Sequence, residues 1–451
     1  MKSIKRSQRI ITLILFAFLT GMAVLLTKLQ KEAAFYMSNS SHQVIGNVYD
    51  KNGDILFDGS GDYSKYEENH FLDVGNIIGD NEGQMSNTLV AKNIEKLNNY
   101  SFSTGLVESG GKSAIYTTLD HDANKAVYNS FGSRKGCAVA YNYITGEILV
   151  CVSLPSIDIT KGYADIANFE SGTLLSKNLY GTVPGSTQKI PTLVAAVETI
   201  GERNLLEKRF TCNGTYTNLG GQDIKCHKLS GHGEQDIVQA FANSCNPFFA
   251  QLVEDNDLPL DSIKKAFTKL GYAVNGADKD YIDINGIKCE KASTTLNNSY
   301  EFNTQWGCIG QGETLVSPVQ MMLWQSAIAN EDGRTTMPYL IEYITNVKGK
   351  IKERAETKHS KKLFTPSTAE AVKEIMLENG KNYTESISGY ELGIKSGTAQ
   401  VKNGNEENSL LTGFINDRRK PIAFCVMIED KNNGNIKTET IVKTMLDVLC
   451  S

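Results

Sequence analysis

The sequence has no surplus of positive charge. Its 51 Asp and Glu against 46 Lys and Arg give a formal net charge of −5. A nucleic acid or other polyanion is bound through a basic surface, so that class of partner is disfavoured. There is no repeat of solenoid period and no low-complexity tract, which excludes stacked-repeat architectures. Long uncharged runs are scarce as well. One stands out, Ile10–Thr27 (IITLILFAFLTGMAVLLT), at the lower end of what spans a bilayer and longer than a usual signal-peptide core. Lys2, Lys5, Arg6 and Arg9 precede it, which predicts a cytoplasmic N-terminus. A small-x-small cleavage site is lacking at its end, so a retained anchor is expected, with the rest of the chain outside the membrane. The cysteines lack an even count: nine leave at least one without an internal partner. Exported proteins of oxidising compartments usually avoid that, so some or all are expected to be reduced, metal-bound or buried.

At 451 residues there is room for a large domain and a smaller one. Gln30–Ser41 reads as a polar stalk. Val44–Gly59 alternates on both sides of Lys51-Asn52-Gly53-Asp54, a hairpin signal. From Ser60 to about Lys112 the text is polar and weakly periodic, with Leu89–Asn98 its one helix. Residues 28–114 are therefore expected to form a small, extended membrane-proximal module after a tail (1–9) and the anchor (10–27).

Residues 115–451 open with a strand at Ile115–Leu119, a helix at His121–Phe131 and a hairpin, Gly136–Tyr141 with Glu147–Leu154. Near the other end Gly393–Val401 is extended, Leu410–Ile415 and Ile422–Glu429 form a second hairpin, and Thr440–Leu449 has helical period. Between them lie helical stretches at Ile190–Ile200, Asp236–Ala242, Pro247–Glu254, Leu260–Leu270, Pro318–Ala329 and Pro366–Glu378. The arrangement predicts an α+β fold, one antiparallel sheet assembled from both ends and covered by helices.

The chemistry centres on Tyr180–Thr192, YGTVPGSTQKIPT. Pro184-Gly185 signals a turn, Ser186 reads as the N-cap of the following helix, and Lys189 falls three residues on, within reach of the Ser186 hydroxyl. A serine needs a base to become a nucleophile, and a lysine shielded from water is neutral enough to serve. Pro191 removes one backbone donor, so a distortion of this helix is expected. The same Ser-x-x-Lys spacing recurs at Ser109–Lys112 and Ser262–Lys265, where a solvated surface is the better reading. Ser244-Cys245-Asn246 follows at a break between helices, before Pro247, and Lys395-Ser396-Gly397-Thr398 lies on a strand before the last hairpin. Taken singly, Ser186 could be a cap, Asn246 another, and Lys395 an exposed strand-edge charge.

In this order, Ser-x-x-Lys, Ser-x-Asn and Lys-Ser-Gly resemble the motif set of penicillin-binding proteins and serine β-lactamases. GNVYDKNGDIL, TTLD at Thr117–Asp120, ITGEILVCVSLPSID, Gly231-His232-Gly233, Gly310-Gln311-Gly312-Glu313, Ser317–Met322 and KSGTAQV extend the resemblance along the chain. The chain resembles a class B penicillin-binding protein, a D,D-transpeptidase. Cys245 replaces the Asp of the usual second motif, and Ser396 keeps the hydroxyl of a Thr.

The resemblance implies a serine β-lactamase/transpeptidase-like sheet covered by helices, with residues 115–451 as the transpeptidase domain and 28–114 as its pedestal. It implies attack by Ser186 on a D-Ala-D-Ala stem peptide of the cell wall, with Lys189 accepting its proton. Ser244 would relay the proton, Lys395 would keep the field positive, and Asn246 would hold the donor amide. Ser396, Gly397 and Thr398 would bind the terminal carboxylate, with the N–H groups of Ser186 and Thr398 as oxyanion hole. No cofactor is required for that chemistry. β-Lactams, the membrane and a membrane-embedded glycan polymerase of the shape, elongation, division and sporulation class are the implied partners. A β-lactamase or penicillin-sensing receptor shares the motifs, but no Glu stands out as a deacylating base. A non-catalytic scaffold of cell-wall assembly is the other alternative.

Cys212, Cys226, His232 and Cys245 cluster around the second motif. Three thiolates and an imidazole suit a closed tetrahedral zinc site that would brace the fold. A Cys212–Cys226 disulfide and reduced buried thiols are the other two readings. His232 is preferred to His227 because His227 adjoins Cys226.

Overall fold

The computed structural model describes residues 2–38, 45–80, 82–98 and 112–451. Helix α1, Lys2–Ser38, carries an apolar span, Gln8–Leu29, long enough to cross a membrane. The expected stalk is helical as far as Ser38, because Gln, Lys, Glu and Ala are good helix formers and continue the apolar turns. Its last residues lie outside the described chain, as does Ser109 of the first alternative Ser-x-x-Lys.

The central sheet has five antiparallel strands: β1 (Gly136–Asn142), β2 (Ile148–Leu154), β3 (Leu392–Val401), β4 (Glu406–Ile415) and β5 (Ile422–Ile428). Their order is β3-β4-β5-β1-β2, so two hairpins from opposite ends of the segment join at β5 and β1, as expected. β5 reads IAFCVMI and is buried throughout, because both faces of the sheet are covered. Ala138, Ala140, Phe424 and Val426 face helices α2 (His121–Ser130) and α7 (Thr438–Leu449). The alternate residues Cys137, Val139, Cys425 and Met427 face the main core, with α3 (Lys189–Ile200), α4 (Asn246–Glu254), α5 (Pro318–Ala329) and α6 (Pro366–Gly380). β3 is an edge strand, and its free side borders the cleft described below.

A second sheet sets Val48–Tyr49 between Ile55–Phe57 and Ala114–Thr117, and continues through Ile341–Thr345 to Ile351–Arg354. The membrane-proximal stretch is less extended than its polar text implies. Phe71, Val74, Ile77, Ile78, Leu89 and Val90 are buried in the same core as α3 and α5. Asn76 donates to the carbonyls of Thr173 (2.6 Å) and Leu175 (3.0 Å), which ties this stretch to the main domain.

Candidate active site

The approach to Ser186 is a 3₁₀ turn, Gly185–Gln188, that becomes the α-helix at Lys189. Ser186 therefore lies inside the first turn and makes no capping bond, contrary to the N-cap expectation. The 3₁₀ geometry matters here. At three residues per turn, side chains i and i+3 eclipse, which stacks Lys189 directly over Ser186. Pro191, the third residue of α3, leaves the α-helix itself undistorted; the departure from α geometry is the 3₁₀ turn just before it, which includes Thr187, whose carbonyl Pro191 has no N–H to reach.

Lys189 Nζ lies 2.6 Å from Ser186 Oγ, 2.8 Å from Asn246 Oδ1 and 3.1 Å from the Ser244 carbonyl. A neutral amine has two N–H donors and one lone pair. The two oxygen acceptors take the N–H groups, which leaves the lone pair facing the Ser186 hydroxyl. Lys189 is fully buried, and burial, reinforced by Lys395, holds its pKa well below the ordinary lysine range. Lys395, equally buried, is lowered to about 7 by the same desolvation. Each Nζ lies 5.6 Å from an aromatic ring centre, Lys189 over Phe249 and Lys395 over Phe241.

Ser244 bridges the two lysines. Lys395 Nζ donates to its Oγ at 3.0 Å, and Lys189 Nζ is 3.4 Å from the same oxygen. Its φ of +51° is a left-handed conformation uncommon outside glycine, set by the tight turn between Ile237–Ala242 and α4. Asn246 is fixed from the far side by donating to the Lys225 carbonyl at 3.1 Å.

β3 comes close to the turn carrying Ser186 through glycines. A Cβ on Gly397 would lie 2.7 Å from the Pro184 carbonyl oxygen, and one on Gly185 would lie 2.5 Å from that of Thr398. Ser396 and Thr398 thereby line the cleft beside Ser186, Ser244 and Asn246. The Thr398 carbonyl accepts from Gln311 rather than from β4, so residue 398 faces its backbone groups to the free edge. In an antiparallel ladder the N–H of a residue points the same way as its C=O, so the Thr398 N–H points to that edge too. The structure thus gathers Ser186, Lys189, Ser244, Asn246, Lys395, Ser396, Gly397 and Thr398 around one cleft of about 660 Å³. Ser262 and Lys265, by contrast, lie on the solvated side of a surface helix, Leu260–Lys269.

Sequence reasoning gave no role to several residues in the cleft or bonded to its lining. Tyr383 donates to Ser396 Oγ at 2.8 Å, and Phe302 stacks on Trp306 along one wall. Gln311 bonds the edge of β3. Its Gly-Gln-Gly setting was visible, but the partner strand was not.

The sulfur and imidazole ligand atoms of Cys212, Cys226, His232 and Cys245 all lie within 4.8 Å of one another. All nine cysteines are unpaired, so Cys212 and Cys226 form no disulfide. Cys226 Sγ is 3.5 Å from His232 Nδ1 and 3.9 Å from His227 Nδ1. The Cys226 and Cys245 thiols are coupled, which lowers the pKa of Cys226 and raises that of Cys245.

Residues 136–447 match the family described as the penicillin-binding protein transpeptidase domain. The chain belongs to that family. It is 31% identical over 293 residues to stage V sporulation protein D of Bacillus subtilis, covering 62% of this chain and 42% of that protein. Against the peptidoglycan D,D-transpeptidase MrdA of Salmonella typhimurium the identity is 23% over 371 residues, 74% of this chain and 58% of the relative. The chain therefore spans about half the length of these relatives. The fold matches penicillin-binding protein A from M. tuberculosis, solved as a ceftriaxone acyl-enzyme, with a TM-score of 0.76. That match has 17% identity and covers 91% of this chain and 99% of that one.

Proposed function

We propose that this chain is a serine D,D-transpeptidase that cross-links cell-wall stem peptides. The observation that carries the reading is the pair of buried lysines meeting at Ser244 beside Ser186. Ser186 Oγ attacks the carbonyl of the penultimate D-Ala while its proton passes to the Lys189 lone pair. The N–H groups of Ser186 and Thr398 stabilise the oxyanion. The proton returns through Ser244 to the departing D-alanine amine, and the amine of a neighbouring stem resolves the acyl-enzyme. Lys395, with Ser396 and Thr398, holds the terminal carboxylate. Asn246 serves twice, orienting Lys189 and facing the donor amide. β-Lactams enter as mimics of the stem.

A synthetic stem ending in D-Ala-D-Ala, given a free D-amino acid, should release D-alanine and yield the exchanged peptide. Penicillin acylation without any exchange would leave a penicillin receptor in its place.

The apolar span supports a single-pass anchor with the basic N-terminus inside and the catalytic domain outside. Protease added to intact spheroplasts should digest the domain carrying Ser186, and full protection would reverse the orientation. A membrane-embedded glycan polymerase is the proposed partner; co-purification from detergent extracts tests it.

The four-residue Cys/His group fits zinc. Bound tetrahedrally at about 2.3 Å, sulfur ligands stand about 3.8 Å apart, within a small inward movement of the present spacing. Cys212, Cys226, His232 and Cys245 would hold the ion, which would brace the Ser244–Asn246 turn and supply no catalytic step, since Ser186 is already the nucleophile. Metal analysis of protein purified without chelator should return about one zinc per chain, reduced in Cys245→Ser.

A further inference from the structure

The edge of β3 beside Ser186 is not bare. Gln311 Nε2 donates to the Thr398 carbonyl at 3.0 Å, and Gln311 Oε1 accepts from the Gln400 N–H at 3.2 Å. Residues 398 and 400 are consecutive edge-facing positions of an outer strand. The two bonds are therefore ones that an added strand would make. One carboxamide offers a donor and an acceptor in a plane, as a peptide unit does. Gln311 satisfies the strand edge with a side chain in place of a backbone.

Its own backbone is bolted down. The Gln311 N–H donates to the Trp306 carbonyl at 2.9 Å, and the Gly310 carbonyl accepts from the Gly185 N–H at 2.8 Å. Gly310 has φ +98°, and a Cβ there would lie 1.9 Å from the Gly185 oxygen. The segment cannot move without the nucleophile turn. The side chain can, by rotating about its own bonds into the cleft that it lines. Side-chain rotation is fast and leaves the site intact.

We infer that Gln311 is a removable stand-in for the donor peptide: it caps the free edge of β3 when the cleft is empty and is displaced when a stem peptide adds there as a strand. The inference rests on the transpeptidase reading above and concerns how that site selects its ligand. Extended peptides gain affinity on a sheet edge through main-chain bonds. Here each such bond to Thr398 or Gln400 replaces one that Gln311 already makes. A ligand without a suitably placed amide leaves Gln311 seated and gains nothing from that edge. Thr398 keeps its N–H free for the oxyanion in either state, because Gln311 takes only the carbonyl. Gln311 is thus a specificity-determining residue.

The test compares two penams on the full chain and on Gln311→Leu. Benzylpenicillin carries a side-chain amide where the stem has a peptide bond; penicillanic acid has the same nucleus and no side chain. Removing the stand-in should raise the acylation rate of benzylpenicillin relative to penicillanic acid by about fivefold, roughly the worth of one net hydrogen bond. A structural role alone would change both rates together. Gln311→Glu, which keeps the shape but cannot donate to Thr398, should shift the ratio the same way and covers the case of a poorly folded Leu variant. An unchanged ratio in both variants, with Ser186 still acylated, overturns the stand-in and leaves the transpeptidase reading untouched. Failure of the unmodified chain to be acylated at Ser186 overturns the reading on which it rests.

Discussion

The two walls of the cleft are held by different means. On the nucleophile side the contacts are backbone on backbone: Gly185 against Thr398, Gly310 against Gly185, Gly397 against Pro184, each too close for a Cβ. On the other side the turn carrying Ser244 and Asn246 rests on three thiols and an imidazole. The first wall has no chemistry that can change and no room to change it. The second is built from side chains of the kind that bind metal and oxidise. Lys189 touches both, through Ser186 on one side and Asn246 on the other, so damage to either wall reaches the base.

The largest effect is expected from breaking the first wall. Gly310→Ala must place a methyl group 1.9 Å from a carbonyl oxygen at positive φ. It should cost about 3 kcal/mol or more in denaturant titration, with penicillin acylation lost even where the protein remains folded. Retention of near-native acylation would show that this wall yields.

Breaking the second wall should be milder and graded. Cys245→Ser, or purification through a strong chelator, should lower the melting temperature by several degrees and slow acylation, with the chelated protein recovering on zinc addition. A small, closed cluster contributes stability in this way. No change in melting temperature under chelation would show that the wall does without metal.

A pH titration sharpens the contrast between the lysines. Burial holds the pKa of Lys189 well below the ordinary lysine range, and Lys395 pushes it the same way. Lys395, at about 7, is protonated below that pH and loses its charge above it. The second-order acylation rate, which reports the free enzyme, should therefore fall as pH rises through about 7. Lys395→Arg keeps the charge at all these pH values and should remove that limb.

The smallest effect is expected at Tyr383. Its hydroxyl donates to Ser396, leaving the Ser396 proton free for the ligand carboxylate. Tyr383→Phe should weaken capture of a carboxylate-bearing β-lactam by about three- to tenfold. The maximal acylation rate at saturation should stay near native.

The sequence showed the two hairpins, the helix positions and the motif order because each is local. Pro318–Ala329 matches its expected helix at both ends, with Ser317 as cap and Pro318 as first residue. What stayed hidden depends on contacts between distant segments. The 3₁₀ turn of residues 185–188 packs on Thr398, more than 200 positions away, a contact that its own text does not show. Gln311 was legible only as part of a Gly-Gln-Gly string, since its partners lie on β3. The strands Ile341–Thr345 and Ile351–Arg354 were missed because they complete a sheet begun near residue 48. The Cys/His group was legible from proximity in the chain, but its closeness in space required the fold.

In the proposed reaction Ser186, activated by Lys189, is the nucleophile that forms a lasting acyl-enzyme. Labelling the full chain and Ser186→Ala with a fluorescent penicillin tests it most directly. One label per native chain, stable well beyond minutes, and none on Ser186→Ala is the expected result. Label surviving that substitution would contradict the assignment, and label lost from the native protein within seconds to minutes would make the chain a β-lactamase instead.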